Sequence, residues 1–256
     1  MGILNSFQAD CLKVNIYDTR KALGESAAAD FADKVRELLQ EKEEINIVFA
    51  AAPSQNEFLQ ALAKNDEIAW SRINAFHMDE YVGLNPEAPQ SFGNFLKDRL
   101  FSKQPFKSLH YLGGSSENTA AECKRYAELL RRYPTHIVCM GIGENGHIAF
   151  NDPHVAFFDD KEWIKVVELD HKCRTQQVND GCFKQIDEVP ENALTLTIPA
   201  LLSADLIFCM VPGKTKAQAV YDTVTGEITE KCPASILRTH KNAVLYTDVD
   251  SAAKII

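Results

Sequence analysis

The sequence predicts an α/β protein organised on a mostly parallel sheet, and three observations carry that expectation. Short apolar runs alternate about four times with segments of helical spacing before residue 140. One of those runs, Ile45-Asn-Ile-Val-Phe-Ala50, is apolar almost throughout, as strands covered by helices on both faces tend to be. The most strand-like run, Asp205 to Val211, empties into a turn and then another helical segment.

The elements follow in order. Leu12 to Tyr17 alternates apolar and polar residues, the pattern of a half-buried strand, and Asp18 is expected to cap a helix marked by Leu23, Ala27, Phe31, Val35 and Leu39. After the strand at 45–50, Ala50-Ala-Ala-Pro53 leads into Ser54-Gln-Asn-Glu57. That is a capping-box pattern ahead of Phe58, Leu59 and Leu62, and it fits an ordinary capped helix as well as an anion site. Ile73 to Met78 reads as a strand running straight into Asp79-Glu80, and beyond Pro86 and Pro89 the residues Phe92, Phe95, Leu96 and Leu100 mark a helix. A short strand at 109–112 ends at Gly113-Gly114, and a helix is expected from Ser116 to Arg132, stopped by Pro134.

Residues 136–140 form the next strand and 163–169 another, whereas the polar stretch 170–187 gives no assignment. Residues 191–198 alternate, and the strand at 205–211 leads through Pro212-Gly-Lys-Thr-Lys216 into a helix with Ala217, Val220 and Val224. A short helix near 234–237 and a strand at 243–246 close the pattern. With no internal repeat and no linker-like tract, one domain over 1–256 is expected.

Composition narrows the function. Of 256 residues 45% are hydrophobic and 25% charged, ordinary for a globular enzyme. A formal net charge of −9 argues against nucleic acid as the main partner, though local lysines suffice for a small anion. Seven scattered cysteines without a CxxC pair suit a reducing, cytoplasmic setting better than a disulfide framework or a zinc site. Neither a leader-like N-terminus nor a membrane-length apolar run is present, so no membrane partner is expected.

Two stretches concentrate chemistry. Met140-Gly-Ile-Gly-Glu-Asn-Gly-His-Ile-Ala-Phe-Asn-Asp-Pro153 packs three glycines, one histidine and two carboxylates just beyond a buried strand, where the backbone must approach something closely. Asp79-Glu80 stands at the carboxyl end of another strand, the place where open α/β sheets bind ligands. Taken alone, a tight crossover loop and a solvated acidic turn fit these residues about as well.

Taken together with 188–195 (Glu-Val-Pro-Glu-Asn-Ala-Leu-Thr), the stretches Phe76-His-Met-Asp-Glu-Tyr-Val-Gly-Leu84 and 140–153 resemble the glucosamine-6-phosphate deaminase (isomerase) family, in order and spacing and over nearly the whole chain. The sister group, 6-phosphogluconolactonase, shares the fold but differs at the acid motif and lacks the Phe-Asn-Asp-Pro run. The resemblance implies a three-layer α/β/α sandwich with a modified Rossmann-like sheet, aldose–ketose isomerisation coupled to deamination, a sugar-phosphate substrate, and neither metal nor cofactor. It makes Asp79 the base that moves a proton between C2 and C1, and His147 the group that opens the sugar ring. Asn145 and Asp152 become its supports, with Asp152 bonding the second ring nitrogen, and Lys216 becomes a phosphate contact. The neighbouring positions Ala51, Ala52, Ser54, Glu80, Gly146 and Arg174 are expected to contact substrate. The proximity of Glu80 is expected to raise one carboxyl pKa of the acidic pair.

Three departures bear on the substrate. Asn145 stands where many members have Asp, and an amide orients a ring only by hydrogen bonding. Ala50 to Gln55 replaces the family's Gly-rich phosphate loop, and Ser54 is placed to engage helix N–H groups there. Counting back without gaps from Phe183, the position expected to meet phosphate carries no arginine; Arg174 substitutes only if the loop runs differently. The segment after Pro153 also lacks the serines of allosteric members, so activation by an amino-sugar phosphate is not expected. The alternatives are a lactone hydrolase of the phosphogluconolactonase kind and a non-catalytic sugar-phosphate-binding homologue. The exact hexosamine and the oligomeric state, monomer or homo-oligomer, stay open.

Overall fold

The computed structural model describes residues 2–115 and 117–256. In chain order its elements are β1 Asn5–Ala9, β2 Leu12–Tyr17, α1 Arg20–Glu41, β3 Ile45–Phe49, α2 Asn56–Leu62, β4 Ile73–His77, β5 Asp79–Tyr81, α3 Phe92–Leu96, β6 Ser108–His110, α4 Thr119–Arg132, β7 Ile137–Met140, β8 Ile164–Glu168, α5 His171–Asn179, β9 Asn192–Leu196, α6 Ile198–Leu202, β10 Leu206–Val211, α7 Ala217–Thr225 and β11 Ala243–Asp248.

The main sheet has eight strands in the order β1-β2-β11-β10-β7-β3-β4-β6. Every pair in it is parallel except the edge hairpin β1–β2. Successive side chains of a strand point to opposite faces. Ile47 and Phe49 of β3 therefore enter one core with Phe31 and Phe58, and Val48 enters the other with Tyr126 and Leu130. Helices α1 and α2 cover the first face and α4, α6 and α7 the second, the expected three layers.

A smaller antiparallel sheet, β5-β9-β8, is an addition that the parallel pattern did not announce. It matters because β5 begins at Asp79. The edge strand β1 was also unforeseen, since its residues are largely exposed and carry little apolar alternation.

Several local expectations need correction. Thr19, not Asp18, caps α1: its hydroxyl accepts from the Ala22 N–H at 3.2 Å. Ser54 and Glu57 do not close a capping box. Pro53–Gln55 is a turn of 3₁₀ helix without a side-chain cap, and Glu57 is paired with Arg20. Asn118 caps α4, and the expected start at Ser116 lies outside the described residues. The unassigned polar stretch contains α5, whose N-cap is Asp170, accepting from Cys173 N at 2.6 Å. Its periodicity was hidden because part of its buried face is Gln176 and Gln177 rather than apolar residues.

Candidate active site

Loops at the carboxyl ends of β3, β4, β7 and β10 converge on one cleft of about 770 Å³. That is the ligand end of an open α/β sheet. Met78 and Asp79 come from the end of β4, Gly141 to Gly143 from the end of β7, and Pro212 to Lys216 from the end of β10.

Asp79 opens β5 with its carboxylate in the cleft wall, 6% exposed and accepting no hydrogen bond from any other described side chain or backbone group. Burial pushes its pKa well above the usual aspartate value, and the charge of Glu80 pushes it further. Strand alternation turns Glu80 away: its carboxylate accepts from Phe92 N at 3.0 Å, Gly93 N at 2.9 Å and Ser91 Oγ at 2.8 Å. The expected substrate contact by Glu80 is corrected accordingly, because its lone pairs hold the start of α3.

His77, within the 76–84 stretch but given no role from the sequence, proves to set the backbone here. Its Nε2 accepts from Leu112 N at 2.9 Å, so Nδ1 carries the proton and donates to the Asp79 carbonyl at 2.9 Å. Burial pushes its pKa down, which favours this neutral tautomer.

Across the cleft, His147 sits on the turn after β7. Its Nδ1 lies 3.0 Å from Asp152 Oδ1, a contact too bent for a well-formed hydrogen bond, and this leaves Nε2 for the cleft. The ring reaches its position because residue 143 is glycine. A Cβ there would overlap the His147 ring. Gly146 has φ +84 and faces Cys232, away from the cleft lining, so it shapes the turn rather than touching a ligand. Ala149 lines the cleft at φ 47, a left-handed conformation that alanine rarely adopts and that the surrounding structure must hold.

Asp152 is fully buried behind the histidine. Burial alone would raise its pKa, but His147, the Asn145 amide and the Asp170 N–H together hold it below the usual value. The Asn145 amide donates to Asp152 Oδ1 at 2.8 Å and Asp170 Oδ2 at 3.0 Å, and its oxygen accepts from His147 N at 3.1 Å. Asp170 N completes the set by donating to Asp152 Oδ2 at 3.1 Å. An amide is thus the donor bridge between two carboxylates, and Asp170 is the partner that sequence reasoning missed.

The turns after β3 and β10 complete the cleft wall. Ala51, Ala52 and Ser54 line the cleft, and no residue from Ala50 to Gln55 has positive φ, so the loop conformation is one that alanine accepts. Ser54 Oγ accepts from Gln55 Nε2 at 3.0 Å rather than engaging helix N–H groups. The same Gln55 amide reaches Met140 O and Met210 O, each at 3.3 Å, tying the loop to the ends of β7 and β10. Lys216 lines the cleft and is 5% exposed; burial pushes its pKa down while Asp180 and Glu144 pull it back. Arg174 is corrected. Its guanidinium donates to Ile186 O at 3.0 Å and Val189 O at 2.9 Å, clamping that loop outside the cleft.

Donor atoms of His147, Asp152 and Cys173 lie within 4.8 Å of one another and could in principle hold a metal. Burial pushes the Cys173 thiol well above its usual pKa, and an Asn145 N–H already donates to the Asp152 carboxylate, so this set suits a hydrogen-bonded network better than a cation.

The fold and the site define a class: an α/β sandwich with an acid–base cleft at the carboxyl ends of its parallel strands. Comparison with known proteins gives the particular group. Residues 18–246 match the family model described as glucosamine-6-phosphate isomerases/6-phosphogluconolactonase, and the chain belongs to that family. A glucosamine-6-phosphate deaminase of Streptococcus equi subsp. zooepidemicus is 36% identical over 198 residues, 77% of this chain and 82% of the relative. One of Listeria monocytogenes is 34% identical over 210 residues, 82% of this chain and 88% of the relative. The solved structure of a monomeric glucosamine-6-phosphate deaminase superposes with a TM-score of 0.85 at 30% identity, covering 94% of this chain and 98% of that one. A 6-phosphogluconolactonase from Thermotoga maritima superposes at 0.75 with 19% identity, over 92% of this chain and 98% of that one, a likeness of fold.

Proposed function

We propose that the protein is an amino-sugar-phosphate deaminase, converting glucosamine 6-phosphate or a close hexosamine phosphate, with water, into a ketohexose phosphate and ammonia. The observation that carries this reading is the pairing of Asp79, a buried carboxylate without a hydrogen-bond donor from the described protein, with a histidine whose Nδ1 lies 3.0 Å from the Asp152 carboxylate in the same cleft. The deaminase relatives, similar along most of the chain, support the same reaction.

The chemistry runs as follows. His147 Nε2 takes the proton of the C1 hydroxyl and returns it to the ring oxygen, opening the ring to the aldehyde. Asp79 then removes the C2 proton while the substrate ammonium gives a proton to O1, forming an enolamine, and Asp79 delivers its proton to C1, which leaves an iminium at C2. Water adds at C2 and the C2–N bond breaks, releasing ammonia and leaving the ketose. Asp152 favours the tautomer that carries its proton on Nδ1, the orienting role of an acid in catalytic triads. Lys216 supplies positive charge for the phosphate.

Purified protein is expected to release ammonia from glucosamine 6-phosphate or from another hexosamine phosphate. Hydrolysis of a phosphogluconolactone in place of ammonia release from any of them would overturn the reading. A second outcome follows from the contact at Gly143. Gly143→Ala displaces the His147 ring and is expected to lower kcat about 100-fold, as a misplacement of about 1 Å does. Steady-state kinetics checks this; near-parent kcat would mean that the ring is not held against residue 143 in the working enzyme.

A further inference from the structure

Four cations line the cleft: Arg20, Arg99, Lys214 and Lys216. They are not equivalent. Arg20 is neutralised by a two-pronged contact with Glu57, Nε to Oε1 and Nη2 to Oε2 both at 3.0 Å, and Nη2 also donates to Pro53 O. Lys214 is exposed and free to solvate. Lys216 is buried, and neither it nor Arg99 has a salt-bridge partner among the described residues.

Arg99 is held ready for a ligand. Its Nε donates to Asn56 Oδ1 at 2.8 Å, and its guanidinium carbon lies 3.6 Å from the centroid of the Phe95 ring. These two contacts fix the plane and leave Nη1 and Nη2 without a hydrogen-bond acceptor among the described residues. Both Asn56 and Phe95 also line the cleft. The backbone beneath is a wide π turn at Lys97–Phe101, with Ser102 N bonded to Lys97 O at 3.0 Å, a distortion frequent at functional positions. Arg99 also lies near the Cys182 thiol, in the segment before Phe183 where the sequence lacks the expected arginine.

We propose that Arg99, brought in from the segment after α3, is the guanidinium that binds the phosphoryl group of the substrate together with Lys216. A planar fork with two free N–H edges matches the oxygens of a phosphate monoester, and Lys216 adds a point charge from the turn after β10. The proposal rests on the deaminase reading for its substrate, and on the cleft geometry alone for its anion.

The test uses Arg99→Ala and Arg99→Lys in the full chain, read by steady-state kinetics and by the rise in Tm that inorganic phosphate produces. Arg99→Ala is expected to raise KM for the hexosamine phosphate about 10- to 100-fold, the worth of a charge-assisted contact, with kcat within about threefold of the parent. Arg99→Lys keeps the charge but loses fork and stack, and falls between the two. Phosphate is expected to stabilise the parent and to stabilise Arg99→Ala much less. An active parent whose Arg99→Ala variant keeps both its KM and its phosphate response removes the anion site and leaves the deaminase reading intact. Loss of the phosphate response in Arg99→Ala, with a parent that releases no ammonia, upholds the anion site and removes the deaminase reading. A fall in kcat with KM and the phosphate response kept assigns Arg99 a structural role and overturns the proposal.

Discussion

Asp79→Asn is expected to lower C2-proton exchange about 1000-fold, in the middle of the range for loss of a positioned general base, and to make the protein more stable at neutral pH. The two effects share one cause. Burial, with the Glu80 charge behind it, disfavours the ionised Asp79 carboxyl, so its folded pKa stands well above the ordinary 3.8. Between the unfolded and the folded pKa the folded chain binds more protons than the unfolded one, so this group lowers stability as pH rises through that window. Above the folded pKa the full cost persists, and below the unfolded pKa it is absent. Asparagine carries no charge and avoids the cost. Tm of the variant should therefore exceed that of the parent at pH 7, and the two should converge below about pH 4, near the ordinary pKa of a carboxyl. The same shift places the acidic limb of kcat/KM above the normal carboxylate range, since the base works ionised. Exchange of the C2 proton into deuterated solvent checks the first effect, and near-parent exchange removes Asp79 as the base. Equal Tm values at neutral pH would mean that the charge is solvated in the cleft.

The second large effect is expected at Asn145. Asparagine at this position donates to Asp152 and Asp170 at once, at 2.8 and 3.0 Å. Asn145→Asp replaces that donor with a third carboxylate, so the substitution should lower Tm and reduce kcat by about 10- to 100-fold, as misplacement of a catalytic ring does. Asp170→Asn removes one of the three charges while asparagine remains a good N-cap for α5. Added to Asn145→Asp it should recover part of the loss, with a coupling of about 1–2 kcal/mol in the double-mutant cycle. Additive losses would show that Asp170 does not act through Asn145. The bridge gives a physical reason for an amide where the resemblance leads one to expect an acid: the second carboxylate, Asp170, makes a donor necessary.

The fold was largely legible because its signals are local. The buried parallel strands are short apolar runs, and α1 and α4 show their periodicity directly; these features depend on neighbours in sequence. The pieces that escaped depend on neighbours in space. β1 is mostly exposed and finds its place only by pairing with β2. The polar face of α5 is explained by the cleft it borders. Ser54 and Glu57 had the spacing of a capping box, but Arg20, 37 positions earlier, takes Glu57.

The site divides in the same way. The two motifs at Asp79 and His147 could be read in sequence because each is a compact loop at a strand end, and the structure brings both to one cleft. Glu80 was misassigned because adjacency along a strand means opposite faces, and Arg174 because its guanidinium finds backbone carbonyls outside the cleft. His77, although inside a recognised stretch, and Asp170 and Arg99, outside any, were given no role from the sequence. Each acts by meeting a residue from another segment: His77 the Leu112 N–H, Asp170 the Asn145 amide, and Arg99 the Asn56 side chain.

By itself, the sequence determined the layered α/β architecture and the family resemblance, and it singled out Asp79 and His147 as the candidate acid–base pair, because strand burial, helix periodicity and loop composition are properties of short stretches. Tertiary structure alone decided which neighbouring carboxylate faces the cleft, why an amide stands behind His147, and which of the two cleft arginines has no salt-bridge partner among the described residues. Those outcomes turn on the orientation and charge of groups far apart in the chain, which meet only when the strands have been laid side by side.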